Sequence, residues 1–133
     1  MSKRFYTGIE TENSNFENAK VLLTSIPYDG TSTWGKGADK GFEAFMFASD
    51  NMEIYDIETD TEPYEIGVHI QEEITEKSSA AAMFEAVYHR TKEDLKSGKV
   101  LTAFGGEHSV SIGILKAHYE HYENLTVLQM DAH

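Results

Sequence analysis

The chain has 133 residues, of which 40% are hydrophobic, and its formal net charge is −12. This length fits one small domain, so we treat residues 1–133 as a single unit. A net charge of this sign disfavours binding to nucleic acid or to an anionic membrane. There is no cysteine, which excludes disulfides and thiolate metal ligands. We find neither a transmembrane run nor the apolar core of a signal peptide, and therefore expect a cytoplasmic protein.

A glycine-rich loop follows the first predicted strand. Residues 1–20 are polar and lack a sustained period, which is typical of an irregular lead-in. The apolar run Val21–Ile26, which ends at Pro27, predicts a strand buried on both faces, as in a parallel sheet covered by helices. Residues 28–41 then include four glycines and Trp34. Two roles are equally favoured for this loop: a wall or lid over a pocket, or a surface segment that packs Trp34 against a neighbouring subunit.

The middle of the chain predicts one clear helix among shorter elements. Residues 42–48 have the pattern of a short helix, and the alternation over 52–57 indicates a strand. The acidic stretch 58–76 predicts a loop with a short strand near 65–70. Residues 79–96 form the strongest helical pattern, with a serine to cap the start and a glycine just beyond the end. The apolar stripe of this helix consists of Ala80, Met83, Phe84, Val87, Thr91 and Leu95.

Two apolar runs near the end of the chain each stop at residues that can bind a metal ion. Residues 99–104 and 125–130 predict strands, and the segment 109–122 between them has helical spacing. In a strand–helix–strand unit the two strands are parallel, and their carboxyl ends lie at the same edge of the sheet. His108 follows the first of these strands and Asp131 follows the second. The sequence therefore predicts that these two side chains are neighbours.

A divalent metal ion is one use for this edge. Asp131 and His133 are two residues apart, so in an extended chain they point to the same side. Together with His108 they suit a divalent metal ion of intermediate softness. The carboxylate favours manganese, but zinc, iron and nickel are also compatible with these ligands. Gly105 and Gly106 allow a sharp turn, after which Ser109 can cap a helix. Composition alone favours equally an alternative in which His108 caps that helix and the other two residues merely end a strand.

Three segments, in this order along the chain, resemble motifs of the ureohydrolase family, which includes arginase and agmatinase. Residues 26–41 are similar to the long loop after the first strand of agmatinase-type members. Residues 104–109, Phe-Gly-Gly-Glu-His-Ser, resemble the first metal motif of the family, and residues 130–133, Met-Asp-Ala-His, resemble the second. The resemblance extends over about residues 21–133.

This resemblance implies a pair of manganese ions bridged by carboxylates. His108 would bind one ion, Asp131 would bridge the two ions, and His133 would bind the second. The family's second motif continues with an aspartate two residues after the histidine, and a later Asp-x-Asp pair completes the site; both would lie beyond His133. The family usually has a proline where this chain has Phe42, so we expect a weaker start for the helix there.

The predicted fold class is α/β: a three-layer αβα arrangement with a mostly parallel sheet, arginase-like and incomplete at its carboxyl end. The resemblance implies a metal-dependent hydrolase of a small cationic guanidino substrate, with agmatine, converted to putrescine and urea, preferred. Two manganese ions per complete subunit and a homo-oligomer are expected, and neither nucleic acid nor membrane is an expected partner. The alternatives are arginase, guanidinobutyrase, formimidoylglutamase or a truncated, non-catalytic member. The 133-residue chain alone is expected to be inactive.

Overall fold

The computed structural model describes residues 4–131, which form three strands and three α-helices. In chain order these are β1 (Val21–Ile26), α1 (Gly41–Ser49), β2 (Val68–Ile70), α2 (Ala80–Leu95), β3 (Val100–Gly105) and α3 (Val110–His121). Short 3-10 turns lie at Tyr6–Gly8, Glu12–Ser14, Ala38–Lys40 and Pro63–Ile66. The strands make one parallel sheet in the order β2-β1-β3.

β1 is the central strand, and its alternating side chains face both sides of the sheet. On one side, Leu23 packs with Phe42 and Met46 of α1. On the other side, Ile26 packs in a cluster that includes Met83 of α2. Because helices cover both faces, β1 can be apolar along its whole length. The predicted three-layer α/β arrangement with a parallel sheet is confirmed.

The start of α1 depends on packing rather than on a cap. The helix begins at Gly41, and the preceding Lys40 makes no capping hydrogen bond through its side chain. Phe42 is 5% exposed, and its ring centroid lies 5.9 Å from that of Phe104 in β3. Burying a side chain of this kind stabilises the fold by about 2 kcal/mol. A proline at this position would favour the helix through its fixed φ angle. In this chain the buried contact between Phe42 and β3 stabilises the start of α1 instead.

α2 matches its sequence pattern closely. The Ser79 hydroxyl accepts a hydrogen bond from the Ala82 N–H at 3.1 Å, which satisfies a donor of the first turn. Beyond the helix, Gly98 adopts a φ of 67°, the left-handed conformation that ends many helices. The buried side of α2 consists of Met83, Val87, Tyr88, Thr91 and Leu95. Most of the predicted stripe thus faces the sheet and α3.

The prediction of a strand over residues 52–57 is wrong. Within this segment Asp56 alone makes a β-bridge, an isolated antiparallel one to Thr61. The Asp56 carboxylate accepts hydrogen bonds from the N–H of Glu58 at 2.8 Å and of Thr59 at 3.3 Å. Bonds of this type turn the chain back on itself, so the local aspartate outweighs the alternating pattern.

The strand predicted over residues 125–130 is also not formed, and these residues have no regular secondary structure. Leu128 is 82% exposed and Met130 is 89% exposed. Within residues 4–131, β3 pairs with β1 alone. A strand that is apolar on both faces needs a neighbouring strand and a covering layer, and the described part of the chain provides neither at this place.

The remaining predicted elements are present with small changes of length. The strand expected near 65–70 is limited to β2, because Pro63–Ile66 forms a 3-10 turn with the proline in its first turn. β3 and α3 agree with the predicted segments 99–104 and 109–122 to within one residue at each end. Among residues 4–131, no helix has both the length and the apolar character that crossing a bilayer requires.

Candidate metal centre

The loop after β3 is joined to the loop after β1 through the main chain. The Gly106 N–H donates to the Ile26 carbonyl at 2.9 Å, and the Glu107 N–H donates to the Tyr28 carbonyl at 3.0 Å. A Cβ atom on Gly106 would lie 1.7 Å from the Tyr28 carbonyl oxygen, so no side chain fits there. Pairing between the two strands, which ends at Ile26 and Gly105, thus continues into the loops.

The Glu107 carboxylate connects the same two loops through side chains. Its Oε1 accepts hydrogen bonds from the Thr31 hydroxyl at 2.8 Å and from the Ser109 hydroxyl, and its Oε2 accepts one from the Ser109 N–H at 3.2 Å. Burial raises the pKa of Glu107, but the bonds from Ser109 and Thr31 lower it more, so the pKa lies below its ordinary value. Glu107 is therefore charged at neutral pH.

The side chains of His108 and Asp131 lie together beyond the carboxyl end of β3. The distance between His108 Nδ1 and Asp131 Oδ2 is 3.7 Å. The His108 side chain is 70% exposed, whereas that of Asp131 is 18% exposed. The predicted convergence of these two residues is confirmed, although residues 125–130 reach this place without forming a strand. His133, the third predicted ligand, lies outside the described residues.

The first turn of α3 holds the main chain of His108. The carbonyl of His108 accepts hydrogen bonds from the Ser111 N–H at 3.1 Å and from the Ser111 hydroxyl at 2.7 Å. The prediction that Ser109 caps α3 through its side chain is wrong. Ser109 has helical backbone angles, φ −63° and ψ −19°, rather than the extended conformation of a capping residue, and its hydroxyl donates to Glu107.

Asp29 shapes the glycine-rich loop. Its carboxylate accepts hydrogen bonds from the Ser32 hydroxyl and from the Gly37 N–H, the latter at 2.6 Å. These two bonds hold the pKa of Asp29 below its ordinary value. Lys36 Nζ donates to the Asp29 carbonyl at 2.6 Å, and Trp34 in the same loop is 96% exposed. The loop is thus closed at its base and presents an aromatic ring to the outside, which suits either of its predicted roles.

Sequence analysis missed Asp29 and Glu107 as organising residues. A local signal exists for both, since the Asp-x-x-Ser and Glu-x-Ser spacings let a carboxylate accept a bond from a hydroxyl two or three residues on. The contact between Thr31 and Glu107, in contrast, joins residues 76 positions apart. No local pattern indicates a contact over such a distance.

The donor chemistry of the His108–Asp131 pair fits a divalent metal ion. An imidazole nitrogen beside a carboxylate oxygen suits a borderline ion such as manganese or zinc. In the described part of the chain, however, no group of three His, Cys, Asp or Glu side chains is placed to hold a metal ion. Two of the three predicted ligands are therefore together, and a complete site needs His133 or other donors in addition.

A separate cavity of about 440 Å³ lies on the α1 side of the sheet. Its lining includes Leu23, Phe45, Tyr55, Tyr64 and Phe104, and neither His108 nor Asp131 is part of it. This cavity is mainly aromatic and aliphatic, and it is distinct from the His108–Asp131 pair.

Comparison with known proteins gives consistent matches in sequence. A family model described as "Arginase family" matches residues 19–133. An N(1)-aminopropylagmatine ureohydrolase of Thermus thermophilus is 33% identical over 128 residues, which cover 92% of this chain and 42% of the relative. The agmatinase of Bacillus anthracis is 28% identical over 120 residues, which cover 90% of this chain and 41% of the relative.

Solved structures agree with these matches at the level of the fold. The crystal structure of the agmatine ureohydrolase of Thermoplasma volcanium has a TM-score of 0.76 at 22% identity, over 88% of this chain and 39% of that one. Since the family model covers most of its length, this chain belongs to the arginase family. It spans 42% of the Thermus relative and 41% of the Bacillus relative, so it covers less than half the length of either.

Proposed function

We propose that this chain is the amino-terminal part of a ureohydrolase domain that hydrolyses a guanidino compound with the help of two manganese ions. The observation that carries the proposal is the approach of His108 Nδ1 to Asp131 Oδ2, at 3.7 Å. This pair lies beyond the carboxyl end of a parallel strand, which is where open α/β sheets bind their ligands. The sheet itself belongs to an arginase-family fold.

The proposed ligands have separate roles. His108 would bind one ion, His133 the second, and Asp131 would be shared by both, because a shared carboxylate reduces the repulsion between neighbouring cations. Bound divalent ions lower the pKa of water and stabilise developing negative charge, which is the chemistry that hydrolysis of a guanidinium group requires. The chain itself contributes by holding the main chain on both sides of His108, through Glu107 and Ser111.

The proposed substrate is a guanidino amine. Agmatine is preferred, and N(1)-aminopropylagmatine is the second candidate, favoured by the 33% identity with the Thermus relative. Both compounds are cationic, and a net charge of −12 raises the local concentration of cations around the protein. Arginine, guanidinobutyrate and formimidoylglutamate stay as alternative substrates, and a non-catalytic member of the family is the alternative of a different class.

The rest of the proposal concerns the whole protein. We expect a cytoplasmic homo-oligomer in which each complete subunit holds two manganese ions. The exposed Trp34 is a candidate contact either over the pocket or between subunits. A cross-linking experiment with the complete protein would distinguish these two positions, because only the second places the ring of one subunit beside another.

The central test is a substrate panel. The protein produced from its complete reading frame is loaded with Mn²⁺ and assayed for urea release from agmatine, N(1)-aminopropylagmatine, arginine and guanidinobutyrate. Formamide release from formimidoylglutamate is measured in parallel. We expect the highest kcat/KM for agmatine or its aminopropyl derivative. A reading frame that stops at His133, or a protein that hydrolyses none of these compounds, would exclude the proposed reaction.

Metal content tests the assigned roles. In the complete protein, His108→Ala should lower the manganese content by about one ion per subunit, whereas Asp131→Asn should reduce both ions because it removes the bridge. Elemental analysis of the purified variants measures this directly. His89→Ala is the matched control, since this histidine lies on α2 and its side chain is also 70% exposed. Unchanged manganese in the Asp131 variant would contradict the bridging role.

A further inference from the structure

We infer that Glu107 is a positioning residue that fixes the glycine-rich loop, residues 28–41, and the metal-binding loop, residues 105–109, as one unit. We infer in addition that this unit sets the metal affinity at His108, and this second statement rests on the proposed function. The first statement concerns the apo fold alone.

The hydrogen bonds of Glu107 join the two loops by both main chain and side chain. Its N–H donates to the Tyr28 carbonyl at 3.0 Å, while its carboxylate accepts from the Thr31 hydroxyl at 2.8 Å. The same carboxylate accepts from the hydroxyl and the N–H of Ser109. Three donors therefore converge on two oxygens that have no hydrogen of their own. A carboxylate satisfies all three donors, whereas an amide of the same size must turn an NH₂ group toward one of them.

The position of His108 depends on this arrangement because its main chain lies between two residues that the loop contacts hold. Its side chain is 70% exposed, with Nδ1 3.7 Å from Asp131 Oδ2, and the main chain sets the point from which the imidazole reaches that carboxylate. That main chain runs between Glu107, which is bonded to Tyr28, and Ser109, which is bonded to the Glu107 carboxylate. A metal ligand is effective when its geometry is held before the ion binds. Glu107 would provide this support through the main chain of His108.

Thr31 extends the same support into the glycine-rich loop. It lies between Asp29 and Ser32, and the Asp29 carboxylate closes the loop by bonds to Ser32 and Gly37. The bond from Thr31 to Glu107 attaches this closed segment to the metal-binding loop. Loss of the bond should free residues 28–41 to move relative to β3 while their internal bonds stay intact.

The experiment uses the protein from its complete reading frame, three single variants and one double variant. Glu107→Gln keeps the size and removes one acceptor, and Thr31→Val keeps the shape and removes the hydroxyl. Glu93→Gln is the matched control, because Glu93 is a carboxylate on α2 that is 68% exposed in its side chain and paired with Lys96. Hydrogen–deuterium exchange of the peptides covering 28–41 and of those covering α2 is followed without metal. The Mn²⁺ dissociation constant is then measured from the EPR signal of free Mn²⁺.

In Glu107→Gln we expect the amides of 28–41 to exchange roughly 10-fold faster and the Mn²⁺ dissociation constant to rise by a similar factor, as for loss of one hydrogen bond to a charged group. Exchange in α2 should be unchanged. Thr31→Val should also speed exchange in 28–41, and adding it to Glu107→Gln should have no further effect.

Unchanged exchange of 28–41 in Glu107→Gln, or faster exchange throughout the protein, would overturn the first statement. An unchanged Mn²⁺ dissociation constant in that variant, with normal binding by the wild type, would overturn the second. A wild-type protein that binds no Mn²⁺ would instead refute the proposed function, and the exchange data would still decide the role of Glu107 in the apo fold.

Discussion

Replacing Gly106 by alanine tests whether the loops after β1 and β3 must touch for the protein to be stable. The added Cβ would lie 1.7 Å from the carbonyl oxygen of Tyr28, 2.6 Å from its carbonyl carbon and 2.8 Å from its nitrogen. All three atoms belong to the main chain, so no rotation of a side chain can relieve the overlap. The two loops must therefore separate.

The cost has two parts. Separation breaks the bonds from Gly106 to Ile26 and from Glu107 to Tyr28, each worth about 1 kcal/mol. Displacing a well-packed main chain costs about 1–3 kcal/mol more. A lower entropy of the unfolded alanine variant offsets up to about 1 kcal/mol. We expect the free energy of unfolding to fall by about 3 kcal/mol, which changes the folding equilibrium by a factor of roughly 150.

Denaturant unfolding of the complete protein measures this loss as a shift of the midpoint at constant slope. Gly41→Ala is the matched control. Gly41 has a φ of −60°, and a Cβ there would meet no heavy atom within 4 Å, so its stability should be unchanged or slightly higher. If Gly106→Ala unfolds at the wild-type midpoint, the tight approach of the two loops is not required for stability.

Three further outcomes are expected. Ser25 is 1% exposed, and its hydroxyl has no hydrogen-bond partner in the described structure. Ser25→Ala should therefore leave the free energy of unfolding unchanged or raise it by up to about 1 kcal/mol. If denaturant unfolding shows that this free energy falls by more than about 1 kcal/mol, the hydroxyl has a partner. Bonds from Ser32 and Gly37 lower the pKa of Asp29 below its ordinary value of 3.8. The stability advantage of wild type over Asp29→Asn should therefore be present above pH 3.8 and disappear as the pH falls through the folded-state pKa. A stability advantage that does not change between about pH 2 and about pH 6 would refute a role for the charge. Residues 1–133 expressed alone should be oligomeric and release no urea from agmatine. Residues 125–130 are exposed, and within residues 4–131 only one edge of β3 is paired with another strand. A cooperatively melting monomer with manganese-dependent activity would contradict this expectation.

Elements with a strong local signal could be predicted from the sequence. α2 has a capping serine, a regular apolar stripe and a terminal glycine, and the structure reproduces all three. β1 was evident from a continuous apolar run next to Pro27. The approach of His108 to Asp131 could also be predicted, from the strand–helix–strand order, although residues 125–130 reach this place without forming the second strand.

Features that depend on distant contacts could not be predicted. The apolar run 125–130 has the composition of a strand, but composition does not supply the neighbour that a strand requires. Residues 52–57 show the opposite error, because the carboxylate of Asp56 takes up backbone N–H groups and turns the chain. The role of Glu107 depends on Thr31, 76 residues earlier. Only the folded arrangement of β1 beside β3 brings the two together.

The central position of β1 has a consequence for synthesis on the ribosome. Leu22 in β1 accepts a hydrogen bond from Thr102 in β3, which lies 80 residues later in the chain. At a translation rate of about 5–20 residues per second, β1 waits roughly 4–16 s for this partner. During that interval Leu22, Leu23 and Ile26, which end as core residues, are covered by no completed sheet. The nascent chain therefore exposes these apolar side chains for several seconds longer than local folding would require, until β3 has emerged.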